Sequence, residues 1–236
     1  MIVPTMTHAE AYRELDKDRE NFIRWTAHMA DSNRRRALKT TKFPALWWRE
    51  YRSPRNNYYL INIAVTKRKY DDNHALSILA LRREARGWTA YLTDVHKESN
   101  VKRIAYVQHV FDRYAERMGV EKQGIELIKH MFNNMIDGVV VHDPRLAGRS
   151  VRYNGRDHQF IAISDGVLLG DVEDGIFIAR TFITYEMATG VQRRKFEYAQ
   201  SGLNTLEEEV SHVQRVKTIP AIKMEVKIKN RVRSNF

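Results

Sequence analysis

The sequence contains no cysteine. Disulfides, thiolate nucleophiles and every cysteine-bearing zinc or iron–sulfur centre are thereby excluded, so any catalysis falls to histidine, carboxylates, lysine, arginine or hydroxyls. Long apolar runs are also missing. Nothing approaches the roughly 18–20 uninterrupted apolar residues that span a bilayer, and the opening MIVPTMTHAEAYREL has no charged leader followed by an apolar segment. A soluble, cytoplasmic protein with no membrane partner is expected. There is no H-E-x-x-H and no dense carboxylate cluster, His142-Asp143 being the nearest approach to a metal motif. The glycines of SDGVLLGDVEDG do not form G-x-x-x-x-G-K-[ST] and read as turn residues, and no G-x-S-x-G marks a nucleophile elbow. No metal and no cofactor is expected.

What is present is positive charge. The 236 residues carry a formal net charge of +11, with 43% hydrophobic residues, enough to bury one substantial core or two small ones. From Arg34 to Lys69 there are eleven basic residues (Arg34, Arg35, Arg36, Lys39, Lys42, Arg49, Arg52, Arg55, Lys67, Arg68 and Lys69) against the single acid Glu50. A second excess runs from Arg215 to Arg233, seven basic residues against Glu225, and the rest of the chain is net negative. Such asymmetry is what a field-steered polyanion site requires.

Thr7 and Glu10 have capping-box spacing, and Tyr12, Leu15, Phe22 and Met29 then recur along one amphipathic helix predicted to run to about Lys39. Pro44 and Ser53-Pro54 bracket a segment expected to be an ordered loop or short helix. Runs at 57–66, 74–81 and 87–95 suggest an antiparallel meander. Helices are predicted over 101–118, stopped by Gly119, and over 123–134. Short strands follow, with Asn154-Gly155 as a hairpin turn, then a helix over 204–217 and an alternating strand from Ile222 to Ile228. The expectation is α+β, with antiparallel meander sheets and helices packed on one side. Residues 1–99 would form an N-terminal lobe and 100–236 a second lobe with two helices, a sheet and the C-terminal helix and strand.

Between Arg34 and Tyr70 the cations interleave with Trp47, Trp48, Tyr51, Tyr58 and Tyr59, the combination that neutralises a phosphate backbone and stacks on bases. The competing reading places the tryptophans in the core and the charges on a solvated face. Lysines of the C-terminal strand equally suit a protected sheet edge.

In the 101–118 segment Ile104, Val107, Phe111, Tyr114 and Met118 form an apolar stripe, while His109, Arg113 and Arg117 lie four apart on one line, flanked by Asp112 and Glu116. The run HVFDRYAERMGVEKQGIELIKHMF followed by short strands resembles the barnase/EndoU/RelE-like (BECR) ribonuclease superfamily over about residues 104 to 185. The resemblance implies a metal-independent endoribonuclease of toxin or phage-associated type. Its site would combine His109, Arg113 and Arg117 with Thr181 or Thr184 on a late strand. RNA cleavage by 2′-hydroxyl attack needs a base, cations for the phosphorane and an acid for the leaving oxygen. His109 would serve as base or acid, the two arginines as the phosphate clamp, His158 as the complementary proton carrier, and the threonines would position the phosphate. The expected partner is nucleic acid, RNA in preference to DNA, and a toxin-type enzyme would add a protein inhibitor. The alternatives are a non-catalytic DNA- or RNA-binding protein and a phage or mobile-element assembly protein.

Overall fold

The computed structural model describes residues 1–66, 74–93, 103–135 and 149–197. Its helices are α1 (His8–Asp16), α2 (Arg19–Lys39), α3 (Gln108–Met118) and α4 (Gly124–Asn134), with α5 over residues 190–197. The strands are β1 (Ala45–Arg52), β2 (Tyr58–Val65), β3 (His74–Glu84), β4 (Gly87–Thr93), β5 (Arg103–Tyr106), β6 (Arg149–Tyr153), β7 (Arg156–Ile163), β8 (Gly166–Glu173) and β9 (Ile176–Ile183). All nine join one sheet in the order β1-β2-β3-β4-β5-β9-β8-β7-β6. Every pairing is antiparallel except β5 with β9. The architecture is α+β as expected, and the sheet runs unbroken across the boundary near residue 99. The predicted helix over 204–217 and the strand from Ile222 to Ile228 lie outside the described residues.

Helices cover both faces of the sheet, where one face was expected. Strand alternation dictates this, because β2 is apolar at successive positions and so needs cover on each side. Leu60, Leu79, Leu92, Ile104 and Tyr106 meet Phe111 and Tyr114 of α3 and Leu127, Ile128 and Met131 of α4. Tyr59, Ile61, Ile63, Ile78, Tyr91 and Ala105 meet Ala11, Tyr12 and Leu15 of α1 and Phe22 and Ala37 of α2. We refer to these as the α4 face and the α2 face. At the far end of the α2 face, Phe196 of α5 packs on Val151, Phe160, Val167 and Leu169.

Three local expectations are corrected. The long first helix is two helices, because Asp18 turns its carboxylate into the core. There Asp18 Oδ2 accepts hydrogen bonds from Ser53 Oγ (2.6 Å), Asn57 Nδ2 (2.7 Å) and Tyr59 Oη (2.9 Å). The capping box at Thr7 and Glu10 starts α1 as anticipated. The segment between Pro44 and Pro54 is the strand β1, in which Trp47 points to the α2 face and Trp48 to the α4 face. Finally, the helix predicted from residue 101 begins only at Gln108. Ile104 and Tyr106 do face the core shared with Phe111, but as alternate residues of β5, with Ala105 on the opposite face. A two-residue strand period and a helical stripe coincide over so short a stretch.

Two side chains tie the layers together. Tyr12 Oη lies 2.9 Å from Leu92 O and 2.8 Å from Ile104 O, anchoring α1 across β4 and β5. Asn133 Oδ1 accepts from Trp48 Nε1 (2.9 Å) and Asn62 Nδ2 (3.0 Å), anchoring α4 to β1 and β2. At the Leu169/Gly170 irregularity a Cβ on Gly170 would stand 2.0 Å from Ile178 O, so only glycine fits.

Asp18 is buried, and Asp18→Ala would strand three donors. The unfolding free energy should fall by about 3 kcal/mol or more, measured by urea denaturation; a loss below about 1 kcal/mol would show that the three donors find other partners. Tyr106 is also fully buried, yet its hydroxyl has no partner among the described residues. Tyr106→Phe should therefore leave stability unchanged or raise it, and a clear drop in the same titration would contradict that.

Candidate nucleic-acid interface

From Ser32 to Arg49 the chain holds six basic residues and no acidic one. The second half of α2 carries Arg34, Arg35, Arg36 and Lys39 toward its C-terminal end, where cations also oppose the helix dipole. Lys39 and Lys42 are exposed. Arg34 pairs with Asp31, and Arg35 Nε donates to the Asp31 carbonyl (3.4 Å).

Helix α2 lies along β1 on the α2 face. Arg36 sits over Trp47, its Cζ 5.0 Å from the ring centroid, and Trp47 Nε1 donates to Asn33 Oδ1 (3.3 Å). Arg49 Nη2 donates to Ser32 Oγ (2.8 Å) and Asn33 Oδ1 (3.4 Å), while its buried Nε has no acceptor among the described residues. Further along, Trp25 meets Tyr51 with ring centroids 5.0 Å apart, and both rings are half-buried. Burial, with the charge of Asp18 behind it, pushes the Tyr51 hydroxyl above its ordinary value.

The expected nucleic-acid residues therefore divide. Arg34, Arg35, Arg36, Lys39, Lys42, Arg49 and Tyr51 gather on the α2 side. Trp47, at 4% exposure, is a core residue and offers no stacking face. Trp48 and Arg52 point to the α4 face. There Arg52 covers Tyr58 (5.5 Å), and Glu50 and Glu126 engage Lys129 at 3.3 and 2.9 Å, leaving that side without a comparable excess. Arg55 is bound to Glu14 (2.7 Å). Lys67, Arg68 and Lys69 lie outside the described residues. Trp25 was not singled out from the sequence, because it lies three residues after Phe22 and reads as one more position of the core stripe.

The residues expected to be catalytic do not converge. On α3 Arg113 Nε donates to His109 Nε2 (3.3 Å) and Nη1 to Glu116 (2.5 Å). One guanidinium nitrogen of Arg117 reaches Tyr153 Oη (3.4 Å), and its buried Nη1 has no acceptor among the described residues. Helix α3 covers the α4 face. His158 shares the opposite face with Phe160 and lies 3.2 Å from Asp171, which also accepts from Arg180 (2.6 Å). Thr181, opposite Leu169, faces the same way as His158. The sheet thus separates His109 from His158 and Thr181. Thr184 precedes the helical turn at Tyr185–Met187, where the backbone N–H of Glu186 and then the Thr184 side chain hydrogen-bond the Glu186 carboxyl and lower its pKa.

His8, at the start of α1, was also not anticipated. Its Nδ1 is 3.1 Å from Tyr91 Oη, and burial, then the Arg82 charge, hold its pKa below the ordinary 6.5. Among the described residues no group of three or more His, Asp or Glu is placed to hold a metal ion, and no helix is long and apolar enough to cross a membrane. Comparison with protein-family models, with curated proteins and with solved structures finds no match.

The Glu14 carboxyl is held at about 2, well below the ordinary 4.5, by Lys17, by the chain's amino group and by Arg55. A depressed acid stabilises the fold fully above its unfolded value and loses that contribution as pH falls toward the folded one. Between pH 4.5 and about 2, wild-type stability should therefore decline more steeply than that of Glu14→Gln. Parallel curves from chemical denaturation across this window would show that the cluster around Glu14 is not coupled to folding.

Proposed function

We propose that this protein binds nucleic acid through the cationic strip formed by the second half of α2 and the adjoining strand β1. The observation that carries the reading is the placement of Arg35, Arg36, Lys39, Lys42 and Arg49 on one side of the sheet edge, with no acidic residue between Ser32 and Arg49. Phosphodiesters are the polymeric anions that such a strip fits. Each neutralised phosphate releases counterions, so affinity should depend steeply on salt. Arg49 supports the reading further, since Ser32 and Asn33 hold its Nη2 and so fix the guanidinium beside the cations of α2.

RNA cleavage of the BECR type is the second reading, and it rests on α3. There His109, Arg113 and Arg117 occupy successive turns, and Arg113 Nε donates to His109 Nε2 (3.3 Å). His109 is then the general base, Arg113 and Arg117 hold the phosphate, and His158 takes no part, because it lies on the other face of the sheet. Cleavage of a labelled RNA in EDTA that disappears in His109→Ala would establish this reading. Intact RNA over a range of pH would leave binding alone.

Binding is tested by fluorescence anisotropy with labelled oligonucleotides at several salt concentrations. The triple variant Arg35→Ala, Lys39→Ala, Lys42→Ala alters only exposed side chains. It should weaken binding and reduce the slope of log K against log salt by about 2 to 3. A complex unaffected by the triple variant, or no complex in dilute buffer, overturns the proposal.

A further inference from the structure

We infer that the outer edge of the sheet at β1 is a stacking platform that selects single-stranded over duplex nucleic acid, with Trp25 and Tyr51 as the rings that receive bases. The inference rests on the binding reading above and adds the class of ligand. Three observations support it.

The first is a gradient of burial within one aromatic group. Phe22 and Tyr59 are buried at 4% and 3% exposure, whereas Trp25 and Tyr51, packed against them, are half-buried. Phe22 and Tyr59 close the core, and the outer surfaces of Trp25 and Tyr51, rings with one apolar and one polar end, stay open to a partner, as is common at interfaces.

The second is position. Among the described residues β1 is one of the two edge strands, paired only with β2. Trp25 and Tyr51 therefore stand where no further strand covers them. The third is the neighbouring charge. Arg49 is two residues from Tyr51 on the same face of β1, about 7 Å away along the strand, and Arg36 follows Trp25 on α2 by eleven residues, about 16 Å. Arg49 and Arg36 thus continue the line that starts at the Trp25–Tyr51 pair, an arrangement that can hold the phosphates of a single strand beside bases stacked on the rings. Bases in a duplex are stacked on each other and offer no free π-face to these rings.

The experiment compares 15-nucleotide oligo-U and oligo-dT with a blunt duplex of the same length, on wild type and on Trp25→Leu, Tyr51→Leu and Trp25→Phe. Wild type should bind either single strand at least tenfold more tightly than the duplex. Each leucine variant should lose roughly tenfold in single-strand affinity, with duplex affinity and salt slope unchanged. Trp25→Phe, which keeps a ring and the packing on Phe22, should retain most of the wild-type preference, and thermal unfolding identifies any variant that has lost its fold. Equal loss with oligo-U and oligo-dT is expected, because stacking does not read the 2′-hydroxyl. Duplex binding as tight as single-strand binding overturns the inference, as does single-strand affinity unmoved by folded leucine variants, and in both cases the salt-dependent binding reading survives. Absence of any complex removes both.

Discussion

A carboxylate taken out of water must be met by donors, and the burial of Asp18 organises this end of the molecule around that requirement. Its Oδ2 collects a hydroxyl, an amide and a phenol from the turn after β1 and from the start of β2. Because α2 begins at the next residue, the same contacts decide where that helix starts on the sheet. Phe22 and Trp25 then fall over Tyr51, and Ser32 and Asn33 fall beside Arg49 and Trp47. The alignment of α2 along β1, and with it the cationic and aromatic strip, is thus a consequence of one desolvated charge and its three partners.

The sheet then sorts the charges that the sequence presents as a single run. Alternate residues of β1 project to opposite faces, so Arg49 joins the cations of α2 while Glu50 and Arg52 join Glu126 and Lys129 of α4. Arg55 is drawn off by Glu14. The field of a face is set by what folding leaves on it. Here the surviving excess is smaller than the run in sequence but lies entirely along one edge.

Much of this fold was legible in the residues. The capping box of α1, the three-stranded meander, the left-handed Gly119 after α3 and the Asn154-Gly155 hairpin are local signals whose physics is complete within a few residues. What escaped depends on distant partners. The break at Asp18 is invisible without Ser53, Asn57 and Tyr59, and β5 is four residues long and takes its strand geometry from pairing with β4 and β9. The cations of the candidate site could be read directly, but Trp25 could not be told from a core position. The separation of His109 from His158 follows from which way β7 faces, a matter of register that composition does not encode.

Two demands on the edge strand can be told apart by their chemistry. An unpaired edge must be kept from annealing to another strand, and charged side chains do this, so Arg49 and Arg52 alone would be accounted for by protection of β1. Trp25 and Tyr51 would not. Half-exposed rings beside an open ladder add apolar surface at the place where protection calls for polar surface, and they raise the cost of leaving that edge in water. Beside a core closed by Phe22 and Tyr59, this half-open pair is the surface that the proposed single strand would use. Flat π-faces linked by anionic groups suit both the ring pair and the Arg49 guanidinium farther along the strand.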